Sequence, residues 1–199
     1  MALTERQIKS LQTKIQRIKK ALADDKKRGG GQYDDGRGLR YLPPELYLKM
    51  QDYSGSLRYF NWFHKNFPDD SGFPDFLFEW TITLFYCGKI KEAEKKAVTT
   101  YFSNRYYFDK YFGKPVLKIE RKYSSNWEKP DMTRHFAYSA AQEQFSEFAK
   151  WLEQFTGSEK FTSAVAQYHE LEKQLDKEHS VLRRSAIIEK MHRIKYSAD

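Results

Sequence analysis

The chain contains a single cysteine, Cys87, in 199 residues. That excludes an intramolecular disulfide framework and any zinc site built on several thiolates, and it points to a reducing compartment. Cys87 stands in LFYCGK between apolar neighbours, which reads as a small packing residue rather than a reactive thiol. Breakers are scarce too. There are 6 prolines and 10 glycines, and five of those glycines fall between Gly29 and Gly38, so long stretches run uninterrupted and favour helix. No window approaches the ~18 consecutive apolar residues of a membrane span. The opening MALTERQIKSLQ has no apolar leader segment, so a cytoplasmic location is the expectation. The five histidines form no HExxH pair and none adjoins a nucleophile motif. No metal, cofactor or catalytic set is therefore expected, and binding is favoured over catalysis. The HEPN ribonucleases, all-helical enzymes marked by R-x4-6-H, are set aside with the other enzyme classes.

What the chain has is hydrophobic residues (40%), aromatics (17%) and positive charge (net +8). The first fraction is enough for a sizeable core. The charge is unevenly placed. Residues 1–40 carry eleven Lys and Arg against five Asp and Glu, or +6, while the remainder is nearly balanced. Attraction to polyanions should therefore act through an N-terminal arm.

Thr4 and Gln7 have the spacing of a capping box, and Ile8, Leu11, Ile15, Ile18 and Leu22 follow at steps of three and four. This heptad seam is narrow and suits one partner helix, either a second copy or the C-terminal helix of the same chain; dimerisation is slightly favoured. The run DDKKRGGGQYDDGRG then reads as a flexible connector, dividing a basic amphipathic helix (1–28) and a linker (29–40) from a helical core (41–199). It lacks the Lys-Ser/Thr or strand context of a phosphate-cradling loop.

Pro43-Pro44 opens the next helix, expected to break at Ser54-Gly55, and a partner helix runs to Pro68. Pro74 opens another, ended at Gly88. The pattern Leu77, Trp80, Thr81, Leu84, Gly88, Ile90, Ala93, Ala97 resembles the tetratricopeptide repeat, with large residues on one helix facing small ones on the next across a glycine turn. The segment from Tyr41 to Pro68 fits that frame more loosely. Beyond it, Tyr101 to Phe112 is expected to be helical with aromatics on most sides. VLKIERKY is a short extended or helical piece, Asp131 caps a helix running to Gly157, and Ser158 begins a long last helix with interruptions at His179 or Arg183-Arg184. The expected fold is all-α: stacked antiparallel helical hairpins behind the N-terminal heptad helix, with a long C-terminal helix.

The repeat resemblance implies a concave groove for a peptide, with Phe78, Ile82, Phe85 and Tyr86 near it. Tyr106, Tyr107 and Tyr111 extend the proposed protein contact, since tyrosine is enriched at interfaces. The same aromatic stretch, with Arg105, Lys110 and Lys114 among it, also has the composition of a base-stacking surface. The function read from the residues is a non-enzymatic adaptor or regulator docking a protein partner. The alternative is a nucleic-acid accessory protein using Lys26, Lys27, Arg28, Arg37, Arg40 and Arg105.

Overall fold

A computed structural model describes residues 3–33, 35–117 and 127–196, and these are all-α, with no strand among them. Helix α1 (Glu5–Arg28) begins at the capping box: the Thr4 side chain accepts the Gln7 N–H, and the Gln7 side chain accepts the Thr4 N–H. Its seam is buried at Ile15, Ile18 and Leu22 against Leu46, Tyr47 and Tyr59 of the same chain, while Ile8 and Leu11 are half-covered. The seam therefore finds its partner in α2 (Pro43–Lys49) and α3 (Tyr53–Asn66), neither a second copy nor the C-terminal helix. The apolar spacing specified one partner helix without specifying which.

The connector holds α1 down. Asp35 is buried and accepts the backbone N–H groups of Leu39 and Arg40. The Arg40 guanidinium bridges Asp35 and Asp70, and Tyr41 donates to Asp70 at 2.6 Å. Burial opposes ionisation of Asp70, but the hydrogen bonds from Tyr41, Gly72 and Arg40 hold its carboxyl below the ordinary range. Tyr33 packs on Trp62 and Phe67. A glycine-rich composition thus hides a segment anchored at its aromatic and acidic positions.

The break after α2 comes at Met50 to Asp52, with Gln51 at φ 56°. Ser54 and Gly55 lie instead in the first turn of α3, where Asp52 caps the Gly55 N–H. Gly55 is needed for close approach, not for a turn: a Cβ there would meet the Asp52 carboxylate at 2.2 Å and the Tyr47 ring at 2.7 Å. Helices α4 (Pro74–Tyr86) and α5 (Ile90–Ser103) form the hairpin expected around Gly88, whose φ of 71° is the left-handed conformation that glycine tolerates.

Helix α5 runs on to Ser103, past the expected start of the third helical stretch. The fully buried Asn104 breaks it: its amide donates to the Trp127 and Lys129 carbonyls and its oxygen accepts the Tyr106 N–H. A short α6 (Tyr106–Tyr111) follows. VLKIERKY lies mostly outside the described residues. The helix expected from Asp131 is a 3-10 turn (Pro130–His135), an irregular stretch and a second 3-10 turn (Glu143–Phe145); α-helix begins only at α7 (Ser146–Gly157). The long C-terminal helix is present as α8 (Glu159–Lys177), and the interruption at His179 separates it from α9 (Val181–Tyr196). Arg184 of α9 donates to the Leu175 and Glu178 carbonyls, closing the end of α8. Helix α9 packs on α8 and α5.

Two consequences are measurable. Leu22→Ala, at a site 1% exposed, should cost about 2–5 kcal/mol in urea unfolding, because the seam is already filled within the chain; a negligible change would mean that α1 is not docked. Gly88→Val should cost about 1–2 kcal/mol through its left-handed backbone alone, since no atom lies within 4 Å of the added Cβ. An unchanged unfolding midpoint would contradict the turn.

Candidate functional site

The residues expected to form a peptide groove fill the core instead. Phe78, Ile82 and Tyr111 are fully buried and join Phe108, Phe145, Phe148 and Leu152 in the largest hydrophobic cluster. Phe85 and Tyr86 are half-covered, Phe85 by Trp151 and Tyr86 by stacking on Tyr53. Tyr106 and Tyr107 are buried as well, and Tyr107 donates to the Met132 carbonyl. Five of these seven side chains, Ile82 and four of the six rings, are buried and offer no open face to a bound peptide or a stacked base, and the other two rings are half-covered. Aromatics on most sides of a helix signalled coverage on most sides.

The basic candidates divide in the same way. Arg105 is buried in an ion pair with Glu128 at 2.8 Å, and Arg40 is held between two carboxylates. Lys26 is directed at Asn66 and lies over the Tyr33 ring, while Arg28 pairs with Asp25, which also lies near Arg37. Among the described residues, Lys27 alone of the six is exposed and makes no ion pair or side-chain hydrogen bond. The pairs of Arg105 with Glu128 and of Arg40 with Asp70 join residues distant in the chain and form only on folding, whereas Arg28 and Asp25 are an i, i+3 pair that spacing carries.

Among the groups with shifted acidities are one buried carboxyl, Glu79, and two half-buried side chains, Lys96 and Cys87. Glu79, midway along α4, is buried and accepts a hydrogen bond from Tyr138 at 2.8 Å. Burial, with the field of Asp75 adding to it, raises its carboxyl well above the ordinary range despite the Tyr138 bond. Lys96 lies with Nζ 3.9 Å from the centre of the Trp80 ring, and desolvation lowers it to about 8. The half-buried Cys87 donates to the Tyr53 carbonyl, and burial raises its thiol, which disfavours the thiolate form. Among the described residues no three His, Cys, Asp or Glu side chains converge as a metal site.

The R-x4-6-H signature of the HEPN ribonucleases, expected to be absent, has one match in the chain by spacing. Arg58 and His64 are separated by five residues, so the R-x4-6-H spacing does occur, on α3. A six-residue step turns the two side chains about 120° apart on a helix. Both are exposed, and the His64 ring lies 6.4 Å from that of Trp80.

The surface left without cover is α9. None of its residues is buried, and it carries Val181, Leu182 and Ile188 at 77%, 84% and 51% exposure. Beside it runs a groove in two connected parts. One, of about 520 Å³, has Val98, Ala164 and Ile194 in its lining together with the charged Glu159 and Lys160; the other, of about 390 Å³, has Leu171 and Ile194 with Glu170, Lys190 and Arg193. Five basic residues on α9, Arg183, Arg184, Lys190, Arg193 and Lys195, stand against one acid, Glu189. The periodicity placed Leu182 on an apolar stripe with Leu175 and Ile187, and the break at His179 leaves it exposed; Val181 and Ile188 stand outside that stripe.

Neither the protein-family models, the curated proteins nor the solved structures contain a match to this chain. No helix among the described residues is long and apolar enough to cross a membrane.

Glu79 gives a pH test. Its folded-state carboxyl titrates above the unfolded one, so the folded state binds the extra proton, and the contribution of Glu79 to stability is greatest at low pH and is lost as pH rises from the ordinary carboxylate range through the raised folded-state value. Glu79→Gln keeps an acceptor for Tyr138 and removes that dependence. Urea midpoints should therefore drop less between pH 4.5 and 7.5 in the variant than in the parent. An equal drop would show that Glu79 is not the titrating group.

Proposed function

We propose that the chain is a non-enzymatic helical adaptor that docks a protein partner on α9 and the groove beside it. The observation that carries this reading is the exposed aliphatic cluster Val181, Leu182 and Ile188 on a helix with no buried residue. A helix contributing so little to its own core gains most by covering those side chains with another chain; each Val, Leu or Ile fully buried contributes about 1.5–3 kcal/mol. The excess of basic residues on α9 favours a partner segment that combines acidic with aliphatic side chains. The pairs α2–α3, α4–α5 and α8–α9 give the chain three helical hairpins, which supports a repeat-like scaffold of tetratricopeptide type, although the groove that would be used differs from that family's concave face. A cytoplasmic setting fits the single cysteine. The nucleic-acid reading is favoured by a separate observation on α1, developed below.

A photo-crosslinker placed at Leu182 should capture a distinct protein in nuclease-treated extract of the native host. Ile188→Glu should abolish that capture, and Leu182→Ala should weaken binding of the captured partner by about 10–100-fold, the loss of one buried aliphatic side chain. Capture that is unchanged by Ile188→Glu, or absent altogether, overturns the assignment of this surface.

A further inference from the structure

Helix α1 has its apolar seam turned inward, which fixes the direction in which its charges point. It holds nine basic residues against three acidic ones. At 100° per residue, Lys9, Lys20 and Lys27 form a row almost opposite the seam of Ile15, Ile18 and Leu22, and Arg6, Arg17 and Arg28 form a second row about 60–80° from it. The second row spans about 33 Å at 1.5 Å per residue. Arg6, Lys9, Lys14, Arg17, Lys20 and Lys27 are all exposed, and among the described residues none of the six has an ion-pair partner. Glu5 and Asp24 are the acids on that side.

An ordinary solvated helix face intersperses signs so that neighbours at i+3 and i+4 attract. Here Arg6 and Lys9, Lys14 and Arg17, and Arg17 and Lys20 are like charges at i+3, each pair mildly destabilising. A polyanion laid along the face would reverse that repulsion.

The rest of the molecule narrows the ligand. The aromatic rings of α6 are buried, so base stacking is not on offer there, and α1 itself carries no aromatic side chain. The major groove, about 12 Å wide, admits a free helix, but α1 has the core attached to its inner side and presents only its outer half. Such a helix lies across phosphates without reading base edges. Its length approaches one turn of a duplex, about 34–36 Å. We infer that the outer face of α1 is a sequence-independent binding surface for the phosphate backbone of double-stranded nucleic acid, with Arg6, Lys9, Arg17, Lys20 and Lys27 as its contacts. This inference does not rest on the α9 reading.

The test is fluorescence anisotropy of a labelled 20-base-pair DNA duplex with the full chain. Contacts to about three to five phosphates give a log–log salt slope of roughly −3 to −5, so affinity should fall by about 10²–10³-fold between 50 and 200 mM salt, alike for two unrelated sequences. The triple variant Lys9→Gln, Lys20→Gln, Lys27→Gln should bind at least about tenfold more weakly with a shallower slope. A charge-matched variant, Lys65→Gln, Lys91→Gln, Lys110→Gln, should bind nearly as the parent does, with circular dichroism confirming that both fold. Absence of duplex binding at 50 mM salt overturns the inference. So does equal loss in the two variants, tighter binding to a single strand of the same length, or binding to vesicles of anionic phospholipid with none to the duplex.

Discussion

Helix α4 must be covered on nearly every side, and most of the chain is arranged to do so. Nine of its thirteen residues are buried, and it packs against α2, α3, α5 and α7. No single partner covers such a helix. Phe76 turns toward Phe60 and Phe63 of α3, while Phe78 meets Phe108 and Tyr111 of α6 and Phe148 of α7. The Thr81 hydroxyl donates to the Leu77 carbonyl within α4, and that of Thr83 shares a hydrogen bond with Ser56 of α3, so the buried polar positions of α4 have partners as well. Glu79 is the exception in kind. A carboxyl enclosed in that position is tolerated because Tyr138 hydrogen-bonds it and because it can remain protonated.

This arrangement decides which residues remain for partners. Aromatics in the middle of the chain are consumed by the core around α4, including every ring a groove-binding scaffold would have offered at Phe78, Tyr107 or Tyr111. Helix α1 spends its narrow seam on α2 and α3 and keeps its charges outside. Helix α9 contributes Ile194 to the edge of the main core, and its first turn is left bare. Available surfaces thus collect at the two ends of the chain, where helices have one covered side and one open side.

Much of the local structure was legible. The Thr4 and Gln7 box, the prolines at the starts of α2 and α4, the turn at Gly88 and the break near His179 are decided by residues within a few positions of one another, and sequence carries such information directly. Failures came where a distant contact outweighed a local preference. Gly55 reads as a breaker but serves a close approach of Tyr47 and Asp52. Phe136, Ala140 and Phe145 have helical spacing yet lie before the start of α7, where Phe136 and Phe145 pack on Tyr138 and the Ala140 N–H bonds to the Tyr111 carbonyl. Glycine content marked 29–40 as free, while Asp35 and Arg40 anchor it through partners that only the folded chain brings near.

The candidate surfaces show the same division. That α1 is basic on one side follows from its sequence; that the seam is filled from within the chain follows only from which helix receives Leu22. The row of Lys9, Lys20 and Lys27 lies opposite the seam, so the direction of these charges does not depend on which neighbour fills it. Their rigidity does. Docking along α2 and the Arg40 clamp hold the rows of Arg6, Arg17 and Lys9, Lys20 in fixed relation to the body. A fixed array loses less conformational freedom on meeting a straight polyanion than a mobile basic tail would. Arg40 is engaged with Asp35 and Asp70, and Arg37 lies near Asp25, so the two basic residues of the connector face carboxylates of the chain itself, while the charges of α1 opposite its seam face outward.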